Sequence, residues 1–242
     1  MSQILDNYSF ETAEAQVAAR KFFAKVYAFM FGALLVSAAI AYQYGNETFV
    51  NSYFMQLTAK GLRPTGLFYV VVFSPLGVAL IMQRFIDRLS LAALIGLYAL
   101  YSVLIGFSLS TLLIHYTTQS IAITFGITAG TFGTMAVMGY VTKVDLTKFG
   151  SILMMAFFGI FIASLVNMFV GSEALQYAIS IIGVLVFTGL TAYHMQKLKE
   201  FAFNAQASEE EKNKMALLGG FTLYVLFVNL FLMLLNLFGS RD

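Results

Sequence analysis

Seven runs of roughly twenty apolar residues dominate the chain: Phe22–Tyr44, Gly66–Met82, Leu89–Ile114, Ser120–Val141, Ser151–Val170, Ala174–Tyr193 and Leu217–Phe238. A helix that crosses the ~30 Å hydrocarbon core of a bilayer needs roughly 17–25 such residues. The runs are apolar on every face, whereas a membrane-barrel strand needs ~10-residue segments that alternate apolar with polar. Hydrophobic residues make up 60% of the chain and charged residues 11%, against about 25% charged in a soluble domain. So few charges cannot solvate a globular surface. The expected fold is an all-α, integral membrane seven-helix bundle over residues 22–239, preceded by a polar segment, residues 1–21.

The basic residues orient that bundle, because cytoplasmic loops collect Lys and Arg. With the N-terminus inside, the inner segments hold Arg20, Lys21, Lys25, Arg84, Arg88, Lys143, Lys148, Lys197, Lys199, Lys212 and Lys214. The outer side keeps Lys60, Arg63 and Arg241. The C-terminus then lies outside. Reporter fusions after Ser208 are expected to read as cytoplasmic and fusions after Arg241 as external. Both ends on one side would refute seven spans. The stretch "SAAIA" at Ser37–Ala41 has the small-x-small pattern of a signal cleavage site. The apolar run before it is too long and its polar lead too acidic for a signal peptide, so the first span is expected to stay.

Within the spans, chemistry is sparse. Glu47, Asp87, Asp145 and Glu173 all fall in loops or at span ends, and no lysine in span seven could carry a retinal Schiff base. His115 and His194 end different spans on opposite sides, so they cannot form a zinc site, which needs three or four ligands on one ion. No cysteine is present to add thiolate ligands, and the net charge of +2 with no Lys/Arg block gives no nucleic-acid footprint. "GFSLS" at Gly106–Ser110 offers a serine whose only nearby base, His115, stands two turns along the same helix. Packing is the better reading. Neither an enzyme nor a cofactor is expected.

Three features give more. Ala122, Gly126, Gly130 and Thr134 recur every four residues on span four, a small-residue face that lets helices approach closely. This predicts span four at the centre of the bundle and loss of folded protein in Gly130→Leu. Thr124, Thr128 and Thr131 add hydroxyls that could line a path. In the six–seven loop, Ser208 and Glu211 have capping-box spacing, which predicts that helix seven starts near Glu209 in water. Pro75, inside the short second span, predicts a kink there.

After the ladder comes "TAGTFGTMAVMGYVTKVDLTKFG", with Asn167-x-Phe169 and "LYVLFVNLFLMLLNLFG" at Leu223–Gly239 further on. These segments resemble the Bax inhibitor-1 family, also called the transmembrane Bax inhibitor motif family. The family-motif loop carries Gly139, Tyr140, Thr142, Lys143 and Asp145. "AYHMQKLK" is similar more weakly, and the first three spans agree in hydropathy alone. The resemblance implies a seven-helix fold with span seven central, in the inner membrane of a bacterium. It also implies a pH-sensitive calcium or cation leak or, alternatively, a non-conducting regulator of other membrane proteins such as a membrane-anchored ATP-dependent protease. The family's leak is attributed to two aspartates that share protons, one in a Tyr-Asp-x-Gln context and one in a Leu-Tyr-x-Asp-Phe context.

This chain departs at both positions. Aligned on Tyr193 and Gln196, the first aspartate is His194. Aligned on Leu223, Tyr224 and Phe227, the second is Leu226. Proton sharing needs two carboxylates, so the family's gate does not carry over. His194 is then either a titrating group in its own right or an interfacial ring packed beside Tyr193 and the lysine stems. Asn167 and Asn229 keep the family's places and are expected to tie helices together, since an amide in lipid must find a hydrogen bond.

Overall fold

A computed structural model describes residues 13–58, 61–203 and 208–240, with the backbone alone for Leu62. Most of the polar N-terminal segment, together with Lys60 and Arg241, lies outside the described residues. Among the described residues, seven helices are long and apolar enough to cross a membrane. They are α1 Ala13–Tyr44, α2 Gly66–Arg84, α3 Leu91–Ser110, α4 Thr118–Val141, α5 Thr147–Val170, α6 Glu173–Ala202 and α7 Glu209–Phe238. A one-turn helix, Leu112–His115, follows α3. At about 1.5 Å per residue, α1 with 32 residues and α6 and α7 with 30 each exceed the hydrocarbon core. Their surplus turns are the polar ones: the start of α1, the end of α6 and the start of α7.

The chain divides into two compact units, one of residues 27–118 with 240 and one of residues 13–26 with 119–239. In the first, α1 and α3 approach closely where Ser37 Oγ donates to the Ser102 carbonyl at 2.7 Å. A Cβ on Gly106 would meet Ile40 Cβ at 2.7 Å. The "GFSLS" stretch is thus a packing seam, and the Ser108 hydroxyl is spent on the Leu104 carbonyl of its own helix, 3.1 Å away. Helix α2 runs on through Pro75. Proline cannot donate to the carbonyl four residues back, and the Ser74 hydroxyl reaches that carbonyl, Val71 O, at 3.4 Å.

A small antiparallel hairpin, β1 Met55–Thr58 and β2 Gly61–Pro64, precedes α2 in register Met55↔Pro64 to Thr58↔Gly61. Gly61 sits at φ 98°, a conformation that only glycine adopts freely. The segment reads as a plain loop in sequence, because four-residue strands are too short to show period-two patterning.

In the second unit α6 packs between α5 and α7. A Cβ on Gly183 would meet Met233 and one on Gly219 would meet Leu198, both at 2.6–2.8 Å. These contacts set an antiparallel register for α6 and α7. Across the α5 seam, Gly189 faces Leu153 at 2.8 Å on the same measure. Helix α7 is the most enclosed of the seven, with 61% of its apolar window buried against 22% for α4 and 11% for α5. Span seven is therefore the most buried span, in keeping with the enclosed place that the family resemblance implies for it. Its start also agrees with the sequence: Ser208 and Glu211 form a reciprocal capping box ahead of Glu209.

The span-four expectation fails. Ala122, Gly126, Gly130 and Thr134 are exposed, and a Cβ on Gly126 or Gly130 would meet nothing within 4 Å. The packed face of α4 is the opposite one: Ser120, Thr124, Thr128, Phe132, Ala136 and Gly139. A four-residue repeat of small side chains permits close approach but does not attract a helix. The face with larger contacts wins, since buried volume supplies the packing energy in lipid. The Thr128 hydroxyl is satisfied by the Thr124 carbonyl at 2.7 Å, and that of Thr134 by Gly130 at 2.8 Å. Gly130→Leu is accordingly expected to leave the melting temperature of detergent-extracted protein within a few degrees of wild type. Loss of folded protein would restore the central placement of α4.

Candidate functional site

The contacts that fix the α6–α7 register also define the two facing stripes. On α6, residues 183, 187, 190, 194 and 198 recur at helical spacing, with Gly183 and Leu198 both in contact with α7. On α7, residues 219, 223, 226, 230 and 233 do the same from Gly219 to Met233. His194 and Leu226 therefore lie on opposed stripes. The register puts His194 level with residues 222–223, about one turn (~5 Å) from Leu226 along the axis. Cα–Cβ bonds tilt toward a helix N-terminus. In an antiparallel pair that tilt leans the two side chains toward each other.

The environments of the two differ. Leu226 is 4% exposed, between the fully buried Tyr224 and the buried Phe227 and Leu230. His194 is half-buried, edge-on to the Tyr193 ring with centroids 5.0 Å apart. No hydrogen bond or ion pair to its imidazole occurs among the described residues. An imidazole and a leucine thus stand on the opposed stripes, about one turn apart along the axis.

The neighbouring residues of α6 hold the motif loop. Gln196 is 7% exposed, and both ends of its amide are used on loop backbone. Nε2 donates to the Val144 carbonyl at 2.7 Å, and Oε1 accepts from the Leu146 amide at 2.8 Å. A Cβ on Gly139 would strike the Ala192 backbone, 2.6 Å from its Cα. One on Gly150 would strike the Tyr193 ring, 2.6 Å from Cζ. Tyr140 packs edge-on to Phe23 of α1 at 5.3 Å and lies beneath the Lys199 ammonium, also 5.3 Å away. The Thr142 hydroxyl accepts from the Val144 amide at 3.2 Å, and Asp145 Oδ1 accepts from the Thr147 amide at 2.8 Å. The hydrogen bonds from Thr147 hold the exposed Asp145 carboxyl below the usual range for an aspartate, with Lys197 and Lys148 adding a smaller pull. Lys143 is exposed. The structure thus brings Tyr193, Gln196 and the Gly139–Asp145 loop into one cluster at the end of α6. The role of Gln196 as a backbone clamp was missed in the sequence, where an amide in a helix gives no sign of its partner.

The two asparagines separate. Asn167 ends α5: its Nδ2 donates to Gln176 Oε1 of α6 at 3.1 Å and its Oδ1 accepts from Ser172 N at 3.0 Å. It does tie two helices, at the turn around Gly171 (φ 67°) rather than in mid-bundle. Asn229 does not; its Nδ2 donates to Val225 O of the same helix at 2.8 Å. A backbone carbonyl four residues back is the nearest acceptor, and an intrahelical bond needs no partner helix. Among the described residues no three His, Asp or Glu side chains gather into a group that could hold a metal ion.

Seven apolar helices, the most enclosed one last, and a polar loop clamped to the end of the sixth define a polytopic membrane protein. The sequence matches the model of the family described as "Inhibitor of apoptosis-promoting Bax1" over residues 19–242. It is 42% identical to the inner membrane protein YbhL of Escherichia coli K12 over 222 residues, 91% of this chain and 92% of that protein. It is 41% identical to an uncharacterized protein of Borreliella burgdorferi over 221 residues, 91% and 92% of the two chains. With the uncharacterized protein RP147 of Rickettsia prowazekii it shares 38% over 222 residues, 92% and 90%. The chain belongs to the Bax inhibitor-1 family. It is a bacterial inner membrane protein.

Proposed function

We propose that this protein is a slow cation leak of the inner membrane, passing calcium among other cations, closed by an apolar contact in place of a proton-sharing carboxylate pair. The observation that carries this reading is the placement of buried Leu226 opposite His194 on the facing stripes of α6 and α7. A hydrophobic constriction resists ion passage by excluding water, so parting of the α6–α7 seam is the opening step. Calcium favours six to eight oxygen ligands, commonly with carboxylates among them. The seam offers neutral groups, and Thr191 already donates to the Phe187 carbonyl at 2.7 Å. Passage is therefore weakly selective and slow. No enzymatic step and no cofactor enter this reading.

The test is calcium entry into dye-loaded liposomes holding the pure protein, oriented by protease protection. Entry above that of protein-free liposomes, increased several-fold by Leu226→Ala, supports the leak. Entry equal to that of empty liposomes in both cases refutes it. A second reading, a non-conducting partner of other membrane proteins, is favoured by one observation. The open face of α4 at Gly126 and Gly130 leaves room for a foreign helix to approach its backbone.

A further inference from the structure

At the polar ends of α1 and α7 lies a cavity of about 560 Å³. Three lysines border it: Lys21 and Lys25, one turn apart on α1, and Lys212 on α7. Two carboxylates, Glu14 and Glu209, and the apolar side chains of Val17 and Phe22 complete the relevant wall. The cations are not equally engaged. Lys212 is 3.6 Å from Glu209, and Lys25 Nζ donates to Asn213 Oδ1 at 2.6 Å, a neutral acceptor that leaves its charge uncompensated. Lys21 has no ion pair or hydrogen bond among the described residues.

Depth decides what such a cavity can meet. The apolar run of α1 begins at Phe22 and that of α7 just beyond Lys214. The three lysines thus stand where both helices enter hydrocarbon, at the level of lipid headgroups. Juxtamembrane lysines attract anionic lipid at about a fivefold gain in affinity per residue. Here two uncompensated ammonium groups sit in a concavity rather than on an open helix, beside apolar side chains that suit the glycerol and upper acyl carbons. We propose that this cavity binds the phosphate of an anionic phospholipid, with Lys21 and Lys25 as the phosphate ligands. The bound lipid pins the first turns of α1 against the start of α7.

Native mass spectrometry of the detergent-purified protein, titrated with phosphatidylglycerol, measures the binding directly. Phosphatidylethanolamine and glycerol phosphate serve as parallel probes. Lys21→Gln and Lys25→Gln are each expected to weaken phosphatidylglycerol binding about fivefold. Lys148→Gln, an exposed lysine away from the cavity, is expected to leave it unchanged, and Glu14→Gln to tighten it. Retention of phosphatidylglycerol alone supports a lipid ligand. Saturation by glycerol phosphate at equal concentration supports the same phosphate site with a soluble anion as its occupant. Equal loss in Lys148→Gln, equal retention of phosphatidylethanolamine, or no loss in the Lys21 and Lys25 variants would overturn the site.

Discussion

Gly139→Ala is expected to remove most of the folded protein from a detergent extract, although it adds a single methyl group. The new Cβ would lie 2.6 Å from Ala192 Cα and 2.7 Å from its carbonyl carbon. Every atom it meets first is backbone. No rotamer change can relieve the contact, so α4 and α6 must move apart, and the cost exceeds the ~1–3 kcal/mol usual for overpacking against side chains. That displacement would also draw the motif loop away from Gln196, leaving the Leu146 amide and the Gln196 side chain without their bonds. The matched comparison is Gly126→Ala, on the opposite face of the same helix, where an added Cβ meets nothing within 4 Å. There the same methyl group should stabilise by roughly 0.5–1 kcal/mol through reduced backbone freedom. Fluorescence-detected size exclusion after a heat ramp separates the two, and equal melting temperatures would show that the α4–α6 contact can yield.

The second large effect concerns the stripe positions. His194→Asp combined with Leu226→Asp is expected to create a strong acid-dependent calcium flux where the native protein has little. The antiparallel register and the opposed Cβ tilts lean the two side chains toward each other. One carboxylate buried alone at position 226 costs ~2.5–3.5 kcal/mol on insertion scales. A pair that shares one proton carries the same single charge spread over two hydrogen-bonded carboxyl groups, and the pair titrates as a unit with one step raised well above the usual carboxylate range. As pH falls through the raised step the doubly charged pair takes up the shared proton that holds the seam closed, and it loses that bond when the second proton binds at the lower step, so flux should rise as pH falls through the lower step. Leu226→Asp alone should yield less folded protein than the double variant. If the double variant folds and conducts no better than wild type at any pH, the two positions do not form a gate.

Sequence and structure agree unevenly, and the reasons are physical. Helix count and type were legible because a bilayer demands ~20 apolar residues per crossing, a signal spread over whole segments. The capping box at Ser208 was legible because both of its hydrogen bonds are local. The small-residue ladder misled because closeness at Gly126 and Gly130 depends on a second helix, and among the described residues a Cβ at either position meets nothing within 4 Å. The glycines that do carry close approaches, among them Gly106, Gly139, Gly150, Gly183, Gly189 and Gly219, share no spacing that marks them. The Gln196 clamp joins residues fifty apart, a pairing that no local pattern encodes. The motif block around Asp145 was visible as a cluster of polar residues between apolar helices. Its use as a buttress for α6 becomes apparent only from its hydrogen bonds.

The central claim is that this family member lacks a carboxylate-centred acid gate and that closure rests on the apolar contact at Leu226. Calcium entry into liposomes containing wild-type or His194→Gln protein, followed from pH 8 to pH 5, tests it most directly. The expected result is a low flux that varies weakly with pH in wild type, with any variation lost in His194→Gln. A strong acid-driven flux in the wild-type protein that persists in His194→Gln would contradict the account and place the gate in other residues.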